Sequence, residues 1–142
     1  MKFAICVSRF NQQISQRLLE CALLTFKKNR ILEKDIRIVW VPGAFEIPLA
    51  AQKLAQTKKY NAIVCLGCVL RGETSHNQYI SLAASSAIMK LSLKYEIPVT
   101  FGILTPNNRK QALARSEKNS ANKGMEATEA ALEMVELLSH GI

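Results

Sequence analysis

Short apolar runs and amphipathic stretches alternate along this chain from its first residues. Phe3 to Val7 is a compact apolar run that stops at the polar group Ser8-Arg9-Phe10-Asn11. Beyond it Ile14, Leu18, Cys21 and Ala22 recur at helical spacing, and Leu19, Leu23 and Phe26 widen the same apolar face. Ile36 to Val41 interleaves apolar residues with Arg37 and reads as a strand closed by Pro42-Gly43. Glu46 to Gln56 reads as a helix, with Pro48 accommodated because an amide in the first turn has no intrahelical partner to lose. Asn61 to Val69 predicts a third strand, about Ser75 to Tyr95 a long helix, and Pro98 to Leu104 a fourth strand. Thr105-Pro106-Asn107-Asn108 is a turn, followed by helices at about Arg109 to Ser116 and Gly124 to Leu138.

Strands alternating with helices imply crossover connections, which lay parallel strands side by side and put helices on both faces. The fold class expected is α/β: a three-layer α/β/α flavodoxin-like sandwich with a four-stranded parallel sheet, in one domain over residues 1–142. There is no internal repeat, low-complexity tract or linker. The last helix carries Met125, Ala127, Ala130, Ala131, Leu132, Met134, Val135, Leu137 and Leu138, apolar on more than one side. The long helix adds a small-residue run from Ala83 to Ala87. Both features predict a homo-oligomer.

In open parallel sheets, ligands bind beyond the carboxyl ends of the strands. Four polar turns fall there: Ser8 to Asn11, Pro42 to Glu46, Cys68 to His76 and Thr105 to Asn108. Phe10 and Phe45 are core aromatics or pocket walls; their place in turns beside polar residues admits both readings. Glu46 either favours the dipole of its own helix or serves a ligand. Two rings and a carboxylate at adjacent strand ends suit a flat heterocycle with hydroxyl substituents. The stretch Ile63 to His76, IVCLGCVLRGETSH, is a buried strand feeding a helix start, where free amides favour an anion. Ser75-His76-Asn77-Gln78 fits a capping box, which places His76 in the first turn as a candidate proton acceptor. Gly72 allows close approach of backbone to a ligand, and Thr74 adds a hydroxyl beside the amides.

Composition narrows the partners. Apolar residues make up 49% of the chain and charged residues 21%, as in ordinary globular domains. The net charge of +8, from 19 Lys and Arg against 11 Asp and Glu, is scattered rather than gathered into a stripe, so solvated helix faces are favoured over nucleic-acid binding. No run reaches the length of a membrane span, and the N-terminal MKFAICVSRFN turns polar too soon for a signal peptide. A cytoplasmic protein without membrane contact is expected. Cys65 and Cys68 form a Cys-x-x-Cys pair inside a strand, where residues three apart point to opposite faces; with no second pair, burial is favoured over metal or redox chemistry.

The segments SRFN (8–11), VPGAFEIP (41–48), GCVLRGETSH (67–76), FGILT (101–105), QALARS (111–116) and NKG (122–124) together resemble the 6,7-dimethyl-8-ribityllumazine synthase family, in that family's order and spacing. The resemblance implies condensation of 5-amino-6-(D-ribitylamino)uracil with 3,4-dihydroxy-2-butanone 4-phosphate in riboflavin biosynthesis, with no metal and no organic cofactor. It implies that Phe10 stacks on the pyrimidine, that Ala44, Phe45 and Glu46 hold ring and ribityl chain, and that backbone at Cys68, Val69 and Leu70 reads the pyrimidine edge. Glu73, Thr74 and Arg115 would meet the phosphate, and His76 would transfer protons. Phe101 and Arg115 would come from a neighbouring subunit, in a pentamer or an assembly of pentamers, with riboflavin synthase a possible partner. Lys123 matches a family lysine near the phosphate end. The chain departs from the family at Glu117 to Ala121, where shell-forming members carry a Gly-x-Lys-x-Gly-Asn stretch, and no arm before the first strand is expected. An archaeal-type riboflavin synthase and a non-catalytic carrier or shell protein are the rival readings; Phe10, Glu46, His76 and Arg115 together argue against them.

Overall fold

The computed structural model describes residues 1–72 and 76–142. Its strands are β1 (Phe3–Ser8), β2 (Ile36–Val41), β3 (Ala62–Cys68) and β4 (Val99–Leu104), in one sheet of order β2-β1-β3-β4 with every pairing parallel. The helices are α1 (Gln12–Lys28), α2 (Ile47–Gln56), α3 (His76–Tyr95), α4 (Arg109–Ser116) and α5 (Lys123–Ser139). This is the three-layer α/β/α flavodoxin-like arrangement that the alternating pattern predicts.

Each face of the sheet has its own core. Phe3, Ile5 and Val7 of β1 join Val64 and Leu66 of β3 against Ile14, Leu18 and Phe26 of α1 and Ala127, Ala131 and Val135 of α5. The intervening residues Ala4, Cys6, Ile63 and Cys65 face Ile47 and Ala51 of α2 and Ala84, Ile88 and Leu91 of α3. Because β1 and β3 are central and covered on both sides, every residue of each is buried, which is why they read as continuous apolar runs. Strand β2 lies at an edge and is only partly covered, with the consecutive residues Arg37 and Ile38 exposed.

The cysteines behave as core residues. Cys65 packs in one core and Cys68 in the other, on opposite faces of β3. Cys6 lies directly across from Cys65 in register, and a hydrogen bond with the Cys6 thiol, then burial, raises the Cys65 pKa well above the ordinary value. Among the described residues no group of His, Cys, Asp and Glu could hold a metal ion, and no helix is long and apolar enough to cross a membrane.

Element boundaries differ from the sequence pattern at a few points. Ala44–Glu46 forms a separate 3-10 turn, so α2 begins at Ile47, with Pro48 in its first turn as expected. A second 3-10 turn, Glu33–Asp35, precedes β2. Helix α1 starts earlier than its apolar periodicity, because Asn11 adopts a left-handed conformation (φ 61°, ψ 47°) that turns the chain straight from β1 into the helix. The proposed cap Ser75 lies outside the described residues.

Candidate active site

Reversal of strand order at β1 opens a crevice at the carboxyl end of the sheet. Hydrogen bonds continue past the strands and stitch the exit turns together. Arg9 N donates to Val41 O (2.8 Å) and Phe10 N to Pro42 O (3.0 Å), which brings the β1 turn against the β2 turn. Val69 N donates to Leu104 O (2.8 Å) and Arg71 N to Pro106 O (3.2 Å), joining the exits of β3 and β4. Asn11 Nδ2 donates to Cys68 O (3.0 Å), linking β1 to β3. This asparagine is a site-building residue that the polar-turn reading did not single out; its left-handed conformation in the N-cap position is the signal an Asn before a helix offers.

The stitched turns line a cavity of about 570 Å³ that includes Phe10, Ala44, Phe45, Glu46, Cys68, Val69, Leu70 and His76. Eight of the twelve sequence-predicted site residues therefore meet in one place. Phe10 is 70% exposed and Phe45 66% exposed, so both rings are presented to the cavity rather than spent on the core. Large apolar surface left open in a concave site is a binding surface for a flat apolar ligand. Ala44, Cys68 and Val69 are buried and form the floor. Burial pushes the Cys68 thiol up to about 11, with Arg109 pulling weakly the other way. A thiol held protonated is no nucleophile near neutral pH. Glu46 turns back over Gly43, where an added Cβ would lie 3.2 Å from its Oε2. Gly72 also lines the cavity, and a Cβ there would meet nothing among the described residues within 4 Å. His76 opens α3 at the cavity wall.

Phe101 and Arg115 line a different cavity, of about 490 Å³, with Thr105, Gln111 and Lys123. The two cavities share no lining residue. In the second, Arg115 Nε donates to Ala121 O (3.0 Å) and its Nη2 lies 3.5 Å from Glu126 Oε2. Lys123 Nζ lies 3.3 Å from Oε1 of the same carboxylate. One carboxylate thus meets two cations and leaves one positive charge of the three groups unbalanced. Glu73 and Thr74, expected at the phosphate, lie outside the described residues.

The geometry offers an aromatic-walled slot with an imidazole at one chain location and a paired-cation pocket at another. Residues 1–139 of the 142 match the family described as 6,7-dimethyl-8-ribityllumazine synthase, whose members are transferases of riboflavin biosynthesis. With the parallel sheet, the stitched strand exits and that match over nearly its whole length, the chain belongs to the 6,7-dimethyl-8-ribityllumazine synthase family.

Proposed function

We propose that the protein condenses 5-amino-6-(D-ribitylamino)uracil with 3,4-dihydroxy-2-butanone 4-phosphate to 6,7-dimethyl-8-ribityllumazine, releasing phosphate and water. The observation that carries this reading is the meeting of Phe10, Phe45, Glu46 and His76 in one cavity on this family's scaffold. Phe10 stacks on the pyrimidine; Ala44, Phe45 and Glu46 hold ring and ribityl chain. Backbone at Cys68, Val69 and Leu70 reads the ring edge. Arg115, with Glu73 and Thr74, binds the phosphate.

The 5-amino group attacks the ketone and loses water to give an imine. Loss of the C3 proton expels phosphate from C4 and leaves an enol, which tautomerises to a new carbonyl at C3. The ribityl-bearing nitrogen closes the ring on that carbonyl with loss of a proton and another water. His76 takes and returns the protons these steps move. The reactants already carry their electrophile and nucleophile, so positioning supplies most of the acceleration. Arg115 reaches its substrate only if the second cavity of one subunit abuts the first cavity of the next. A pentamer provides that contact. Exposed Tyr79, Leu82, Met89 and Leu93 on α3, with Leu49 on α2, are the apolar surface available to bury in it.

Mixing the purified protein with the two substrates should produce the fluorescent lumazine; no product from the wild type would overturn the reading. His76→Ala should lower kcat by about 10²-fold or less. Arg115→Ala should instead raise KM for the butanone phosphate by roughly 10–100-fold, as expected for a lost charge-assisted contact. Wild-type KM in Arg115→Ala would remove Arg115 from the phosphate site.

A further inference from the structure

One polar group in the wall of the aromatic cavity is left unused by the fold. Asn77, the second residue of α3, lines that cavity between His76 and Ile80. It is only 6% exposed, and among the described residues its Oδ1 accepts no hydrogen bond. Other asparagines near helix starts are employed: Oδ1 of Asn108 accepts from Gln111 N (2.9 Å), and Oδ1 of Asn122 accepts from Gly124 N (2.8 Å) and Met125 N (3.1 Å). Asn77 lies inside its helix, where asparagine is a poor helix former, and it gains no capping bond in return. An enclosed acceptor without a partner costs folding free energy, so it calls for a donor that the described residues do not supply. Among the described residues two hydroxyls share its condition, those of Ser8 and Thr100, but neither lines this cavity.

We propose that Asn77 is a substrate-binding residue, whose amide takes a neutral polar group of the ring-and-polyol substrate. The assignment rests on the lumazine synthase reading above. What the unsatisfied Oδ1 needs is a donor. A phosphate dianion has none to give, and the cations suited to phosphate, Arg115 and Lys123, line the other cavity. A ribityl chain and a pyrimidinedione offer several O–H and N–H donors. The Asn77 amide also carries a donor, so its nitrogen can answer an acceptor on the same ligand. An apolar slot with a few polar groups that fix orientation is how such a ligand is selected.

The test replaces Asn77 by Leu, similar in size and without polar atoms, and by Ala. Asn77→Leu should raise KM for ribitylaminouracil roughly tenfold, leave KM for the butanone phosphate within about twofold, and leave kcat largely unchanged. The ligand-free variant should melt at or above the wild-type temperature, because an unpaired buried polar group has been removed, and 6,7-dimethyl-8-ribityllumazine should raise its Tm less than it raises that of the wild type. Should Asn77→Leu fail to fold, Asn77→Ala must show the same selective KM change. KM for ribitylaminouracil within about twofold of wild type in an active, folded variant overturns the role of Asn77 alone. A wild-type protein that makes no lumazine overturns the reaction and this assignment with it.

Discussion

Burial holds the Cys68 thiol protonated at the floor of the candidate site, with its pKa raised to about 11. The fold accommodates the neutral thiol. Below about 9, the ordinary value, folded and unfolded chains both keep the proton and the contribution to stability is constant. Between about 9 and about 11 the unfolded chain releases its proton first, so stability falls as pH rises. The urea midpoint should therefore decline more steeply over that range for the wild type than for Cys68→Ala; equal slopes would show that the thiol is not linked to folding. At this scale the sequence was informative where chemistry follows from position. Phe10, Phe45, Glu46 and His76 each stand at a strand exit or helix start, and all four meet in the cavity. Asn77 was visible only as one letter of a capping-box pattern, because its lack of a partner depends on what surrounds it in three dimensions. Nothing local marked Arg115, whose significance came through family resemblance alone.

At the scale of elements, the NKG segment has a structural explanation. Asn122 is fully buried and caps α5 through Oδ1 while its Nδ2 donates to Glu117 O (2.9 Å). Gly124 follows because α5 crosses α1 there, and a Cβ would collide with the carbonyl oxygen of Leu18. Asn122→Ala should destabilise the fold by roughly 1–3 kcal/mol, measured by denaturant unfolding, since it removes a cap and strands buried partners. It should also weaken binding of the butanone phosphate, because the start of α5 carries Lys123 and Glu126 beside Arg115. A variant as stable as wild type would show the cap to be dispensable. The strands and helices were legible because apolar periodicity reflects burial on one face or two. The 3-10 turns at Glu33–Asp35 and Ala44–Glu46 were not, since three residues are too few to display a period. The left-handed Asn11 was equally hidden, being set by the turn that α1 must make on leaving β1.

For the whole molecule, exposed apolar residues on α2 and α3 are the surface that the proposed pentamer would bury. Sedimentation should give five times the chain mass, or a multiple of it; a lone chain at micromolar concentration would end the proposal of shared sites. The absence of any lining residue common to the two cavities has a genetic consequence. If each working site takes one cavity from one subunit and the second from its neighbour, His76→Ala and Arg115→Ala damage opposite halves. Unfolding and refolding the two variants together would build mixed rings, in which about a quarter of the contacts join an intact His76 cavity to an intact Arg115 cavity. Two impaired proteins would then recover, at low butanone phosphate, activity well above what either shows by itself, and a heterozygous cell would retain more function than either allele alone supplies.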